Sequence, residues 1–201
     1  LCRHLHVAMY PADLVLEGGG IVSDGEGTVI TTEQCLLHPN RNPGITKAQV
    51  ETFFEDYLGA SKTIWLGKGL TPDPVTDGHA DGICAYVAPG VVLLHTTDDR
   101  GDPNYKICND AKQRLTDATD AKGRKLEIID IPLGKDAGHI GFYIANGCVL
   151  VPTADDPKQD DAPMAILKDV FPKREVIGVR SGTITRGGGT VHCITQQVPK
   201  I

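Results

Sequence analysis

Apolar and β-branched residues fall in short runs along this chain, and the runs recur in one order. Thr28-Val29-Ile30-Thr31-Thr32 follows the turn signal Asp24-Gly25-Glu26-Gly27 and reads as a strand. Ahead of it, Val15 to Ser23 reads as a strand bent at Gly18-Gly19-Gly20. Pro39 to Pro43 is a loop. Thr46 with Gln49 forms a capping-box pattern. Val50, Phe53, Phe54, Tyr57 and Leu58 then fall at helical spacing on one face, and Gly59 ends the helix. Lys62 to Leu66 is the strand that follows, with the only Trp.

The same order returns. Ile83 to Val87, Pro89-Gly90 and Val91 to His95 read as a hairpin, Asn104 to Ala118 as a helix and Lys125 to Ile131 as a strand. Next come Gly141 to Ala145, the strong turn pair Asn146-Gly147 and Cys148 to Val151. Asp160 to Phe171 is helical, with Pro163 expected in the first turn, where proline costs little. Glu175 to Val179 is a strand. A fixed period of about sixty residues implies a radial or stacked architecture, in which one unit cannot bury its face alone. The expected class is therefore α/β: one domain over 1–201, built of repeated ββαβ units at 13–68, 77–132 and 139–180. A final strand is expected at 188–198. A generic α+β domain is the plainer alternative.

Composition narrows the partners. The chain has 201 residues, 40% hydrophobic and 23% charged, with a formal net charge of −6. That is ordinary globular composition, and no basic patch marks a nucleic-acid partner. Six cysteines, at 2, 35, 84, 108, 148 and 193, form no CxxC pair. They read as reduced thiols, which points to the cytoplasm. No run of about 18 apolar residues marks a membrane span. Leu1 to Tyr10 lacks the apolar core of a signal peptide, and the first residue is Leu, so a fragment or processed product is expected.

Chemistry concentrates at three places. Gly187-Gly188-Gly189-Thr190-Val191-His192-Cys193 puts a thiol directly after a glycine run. Glycine lets backbone N–H groups approach a ligand closely. Cys193 is then a candidate nucleophile, with Gly188 and Gly189 beside the substrate. The competing reading is a turn leading into a buried structural cysteine. In Asp77-Gly78-His79-Ala80-Asp81-Gly82, alternate residues of an extended segment share a face. His79, Asp81 and Asp77 would point together, a set suited to acid–base work; an exposed polar turn is the alternative. Glu17 opens Glu-Gly-Gly-Gly, to bind a cation, to orient a His, or simply as a polar turn residue. No HExxH occurs, and His192 and Cys193, as neighbours on a strand, face opposite sides; no metal site is expected. The glycine run also lacks the Lys-Ser/Thr of a phosphate loop. Carboxylates around a thiolate raise its pKa, so they make sense for a cationic substrate. Guanidinium fits, being planar, always charged and bidentate toward carboxylates. Its charge, or protonated His79, would favour the thiolate.

At these residues the chain resembles the agmatine deiminase family of the pentein superfamily. The resemblance runs through Leu16-Glu17-Gly18-Gly19-Gly20, Asp24 to Thr28, Leu36 to Pro43, Thr76 to Gly82, Asp120 to Arg124, Phe142 to Gly147 and Gly187 to Pro199. It implies a five-bladed α/β propeller of ββαβ units and the hydrolysis of agmatine to N-carbamoylputrescine and ammonia, within polyamine biosynthesis. By position, it makes Cys193 the nucleophile and His79 the general acid for ammonia, then the base for water. Asp81 would grip guanidinium nitrogens, and Glu17 would bind guanidinium or hold His79. A covalent amidino-thioether on Cys193 is implied, with no metal or organic cofactor.

Three units are found where the family has five. The family's N-terminal portion, with its Arg-Asp-x-Gly-Pro motif and a further guanidinium-binding Asp, has no counterpart. Gly134 to Gly141 replaces a longer family loop and its Ser-Tyr-Val-Asn segment. Three units cannot close the same ring alone, so the expected partners are a second copy or the missing N-terminal part, besides the small guanidino substrate. An unpaired sheet edge favours such association. A deiminase of peptidyl-arginine or another guanidino compound, and an inert protein retaining the fold, are the alternatives.

Overall fold

A computed structural model describes residues 2–198. Pro199, the last residue of the resemblance, and Leu1 lie outside the described residues. The chain opens with α1 (Cys2–Leu5) and then forms β1 (Ile21–Ser23), β2 (Thr28–Thr32), α2 (Glu33–Leu36), α3 (Lys47–Leu58) and β3 (Lys62–Leu66). The second unit holds β4 (Cys84–Ala88), β5 (Val91–Thr96), α4 (Asn104–Asp117) and β6 (Glu127–Pro132). The third holds β7 (Tyr143–Ile144), β8 (Cys148–Thr153), α5 (Pro157–Val170) and β9 (Glu175–Arg180), and α6 (Gly182–Arg186) follows it.

Each unit makes one sheet, in the order β1-β2-β3, β4-β5-β6 and β7-β8-β9. In every sheet the first pair is antiparallel and the second parallel. A parallel pair needs a long crossover, and α3, α4 and α5 supply it. The capping box of α3 is present in both directions, and Gly59 closes the helix in the left-handed region at φ 65°.

Alternation along the middle strands builds the core. Val29 packs with Val50 and Phe54 of α3, while Ile30, its neighbour, packs with the second sheet and α4. On β5, Leu94 joins that same cluster, and Leu93 turns to the third sheet and Leu167 of α5. Helices α4 and α5 thus lie between successive sheets, so β2 and β5 bury both faces. Burying both faces explains their unbroken apolar and threonine runs.

Several expectations are corrected. Between Val15 and Ser23 only Ile21–Ser23 is a strand; Gly18–Gly20 is a 3-10 turn. The apolar stripe of α3 is buried at Val50 and Phe54, but Tyr57 and Leu58 are exposed. Tyr57 leans on Phe53 and donates its hydroxyl to Pro11 O at 2.8 Å instead. Helix α5 starts at Pro157, because Asp156 caps it by accepting from Lys158 N, which puts Pro163 inside the helix rather than in its first turn. The strand expected at 188–198 does not form; His192–Ile194 is a 3-10 turn. Gly187, Gly188 and Gly189 donate their N–H groups back to Ile184 O, Thr185 O and Ile184 O at the end of α6. Their donors are used locally, and among the described residues no ladder is made with a neighbouring strand.

Candidate active site

Glu17 sits in extended backbone just before the Gly18–Gly20 turn that leads into β1. His79 and Asp81 occupy the equivalent place in the second unit, at the Ala80–Gly82 turn leading into β4. The two turns touch, and Gly19 makes this possible. A Cβ there would lie 2.7 Å from Asp81 Oδ2 and closer still to His79 Nδ1.

Arg41 fixes the Glu17 side. Its Nε donates to both Glu17 oxygens at 2.8 and 2.9 Å, and Nη2 lies 2.7 Å from Glu17 Oε1. Its other donors reach Asp77 Oδ2 and Thr76 O, each at 2.8 Å. The guanidinium side chain is only 8% exposed, so it cross-links two loops at partly buried depth. Asp77, at φ 55°, turns toward Arg41 and Asn40 and does not join His79 and Asp81, as the alternation had implied. Asp73 ties the same loop by accepting from Thr76 N at 2.8 Å and Gly78 N at 2.7 Å. Thr32, at the end of β2, donates to Gly78 O at 2.6 Å.

The candidate groups form an open chain of contacts. His79 Nε2 lies 3.8 Å from Glu17 Oε1, and His79 Nδ1 lies 3.9 Å from Asp81 Oδ1. Asp81 Oδ2 is 4.0 Å from Cys193 Sγ and 3.5 Å from His192 Nε2. Thr190 Oγ1 is 3.4 Å from the sulfur. Most of these separations exceed hydrogen-bond length. His79 Nε2 is buried and makes no hydrogen bond among the described residues. Cys193 is exposed. The structure therefore brings Cys193, His79, Asp81 and Glu17 together and leaves polar atoms free to meet a ligand. Gly188 and Gly189 lie next to the thiol loop, but their N–H groups are engaged with α6; they shape the turn and do not offer donors to a substrate.

Electrostatics separates the two acids. Hydrogen bonding from Arg41 holds Glu17 below the usual carboxylate range. Burial pushes Asp81 up to about 6, with the nearby His79 partly offsetting it. Burial likewise lowers His192, favouring the neutral imidazole.

The whole of this arrangement lies within a stretch, residues 1–199, that matches the model of the Porphyromonas-type peptidyl-arginine deiminase family. The chain belongs to this family. Among curated relatives it is 42% identical over 223 residues to the agmatine deiminase of Medicago truncatula, a match covering 97% of the chain and 60% of the relative. It is 45% identical over 214 residues to that of Pseudomonas aeruginosa, covering 93% and 58%. A solved structure of the agmatine deiminase of Enterococcus faecalis, described as catalysing its reaction, superposes with a TM-score of 0.92. That match has 36% identity and covers 99% of this chain and 61% of the other. The chain thus spans about three fifths of the length of these relatives. Its place in the agmatine deiminase group of the pentein superfamily follows from these matches, and the ββαβ order of its units from the sheets themselves.

Within this family member, Glu17, Cys35 and His79 offer donor atoms lying within 4.8 Å of one another. They fit a metal poorly. Both Glu17 oxygens already accept from Arg41, and burial pushes the Cys35 thiol up to about 11, so it stays protonated near neutrality. Two site residues escaped the sequence reading. Arg41 was part of a loop between two prolines, and nothing in its spacing points back to Glu17. His192 was expected to face away from Cys193; in a 3-10 turn both side chains reach Asp81.

Proposed function

We propose that the chain carries the nucleophile and the proton-transfer groups of a guanidine C–N hydrolase acting on agmatine. The observation that carries this reading is the convergence of Cys193 and His79 on Asp81, within 4.0 Å and 3.9 Å, beside Glu17. Asp81 and Glu17 bind the guanidinium N–H groups; Glu17 keeps acceptor capacity beyond its Arg41 bonds. The Cys193 thiolate attacks the guanidinium carbon, forming an S–C bond. The C–N bond to a terminal nitrogen breaks, and His79 gives that nitrogen its proton, releasing ammonia. Water then attacks the amidino-thioether while His79 takes its proton. The S–C bond breaks, returning the thiolate and releasing N-carbamoylputrescine. No metal or organic cofactor enters these steps.

The relatives' names favour agmatine over a peptidyl-arginine or an inert protein of the same fold. The product belongs to polyamine biosynthesis, on the way to putrescine. Six free thiols suit a reducing cytoplasm; no described helix is long and apolar enough to cross a membrane. The complete site draws on a second copy or on an N-terminal portion supplying further guanidinium contacts. Trapping tests the reading: the chain is mixed with agmatine, quenched in acid and digested. An amidino adduct is expected on the Cys193 peptide, and an adduct confined to another cysteine, or none, would overturn it.

A further inference from the structure

A second histidine–aspartate pair lies apart from the candidate active site. His139 is fully buried, and its Nε2 stands 2.8 Å from Asp160 Oδ1. Its other ring nitrogen has no partner among the described residues, so Asp160 is the ring's polar anchor. Asp160, in the first turn of α5, also accepts from Ala154 N and Asp156 N, each at 3.0 Å. The same turn grips the loop ahead of His139. Gln159 Oε1 accepts from Lys135 N and Asp136 N at 3.2 Å, and Gln159 Nε2 donates to Asp136 Oδ2 at 3.0 Å.

The other side of this loop faces the cysteine. Gly138 and Gly141 close a tight turn, with Gly141 N donating to Gly138 O at 2.8 Å. Thr190 packs on both: a Cβ on Gly138 would lie 3.1 Å from Thr190 Cγ2, and one on Gly141 2.5 Å from Thr190 Cβ. Gly141 O accepts from His192 N at 3.0 Å. Among the described residues this is the one backbone hydrogen bond that ties 187–195 to a distant segment; the others in that stretch are local. The contact path from α5 to the thiol is therefore continuous, and the thiol turn has no strand ladder to hold it instead.

We propose that His139 is a positioning residue for Cys193, holding through Gly141 and Thr190 the turn that presents the thiol to Asp81 and His79. The proposal rests on the reading of Cys193 as nucleophile, and its structural half stands on the contacts alone.

The test uses the full chain with His139→Leu, which fills the space without a donor, and His139→Gln, which keeps an N–H for Asp160. Backbone hydrogen exchange at 190–193 is read by mass spectrometry, together with the alkylation rate of Cys193 by iodoacetamide relative to Cys148. In His139→Leu, exchange at 190–193 should quicken at least about tenfold while β2 and β5 stay unchanged, since local opening is separable from global unfolding. Alkylation of Cys193 at pH 7 should slow at least about threefold, as the thiolate loses the Thr190 hydroxyl beside it. His139→Gln should restore both to within about twofold. Parent-like exchange and alkylation in His139→Leu would overturn the proposal, as would a Gln variant no better than Leu. Should the Leu variant fail to fold, Asp160→Ala, which removes the acceptor and leaves the imidazole, is read the same way. The trapping experiment decides the nucleophile reading; the exchange result stands whichever way that falls.

Discussion

The chain holds two histidine–aspartate pairs that share residue types and little else. His79 and Asp81 stand 3.9 Å apart beneath an exposed thiol, and burial with few hydrogen bonds pushes Asp81 up to about 6. His139 and Asp160 stand 2.8 Å apart, with the imidazole fully buried. Burial would raise Asp160 too, but the N–H groups of Ala154, His139 and Asp156 outweigh it and hold the carboxyl below its ordinary range. The difference lies in the donors each carboxylate is given. A carboxylate supplied with several donors rigidifies its surroundings, and one with few is left able to take a ligand or a proton.

The comparison breaks most completely at the thiol beside the loose pair. Cys193→Ala should lower turnover at least about a thousandfold, as loss of a nucleophile does. Far-UV circular dichroism should not change, because the side chain is exposed. Gly19→Ala comes next. Its Cβ would press on Asp81 and His79, and displacing reacting groups by about an ångström costs about a hundredfold in turnover.

Replacing each aspartate by Asn should move stability in opposite directions. Asp81 has a folded pKa raised from 3.8 to about 6. The contribution of its protonated form to stability is fully present below about pH 4 and is lost as pH rises through about 6. Asp81→Asn should therefore stabilise the fold at pH 7.5 by about 1–3 kcal/mol while impairing turnover. Asp160 has a lowered pKa, so its contribution is present above about pH 4 and lost as pH falls through the folded value. Asp160→Asn should destabilise the fold at pH 7.5 by about 1–3 kcal/mol. Urea unfolding at pH 7.5 and 4.5 reads both signs: the Asp81 effect should shrink at pH 4.5, below its folded pKa of about 6, while the Asp160 effect should persist there. The smallest change is the control. Thr46→Ala removes the capping box of α3, far in sequence from both pairs, and should cost about 1 kcal/mol in urea unfolding with turnover unchanged.

The scaffold was legible because its signals are local. Residues 28–32 and 62–66 carry β-branched and apolar runs, and they form strands with those same bounds. Thr46, Gln49 and Gly59 mark their helix by side-chain and backbone chemistry within one turn of each end. The glutamate, the Asp81–His79 segment and the thiol were legible as chemistry, since each stands beside glycines. Their contacts were not. The alternation of Thr190 to Thr195 imitates a strand, yet a strand requires a partner, and the glycine donors before it turn back to α6. Arg41 reaches Glu17 across 24 positions, and His139 reaches Asp160 across 21. No periodicity encodes such pairings; they follow from how loops meet once the sheets are stacked.

Ammonia release from agmatine by the purified chain, with arginine and a peptidyl-arginine in parallel, tests the central claim most directly. The account predicts release from agmatine, not from the other two, and its loss in Cys193→Ala. Release that persists in Cys193→Ala, or that comes from peptidyl-arginine and not agmatine, would contradict it.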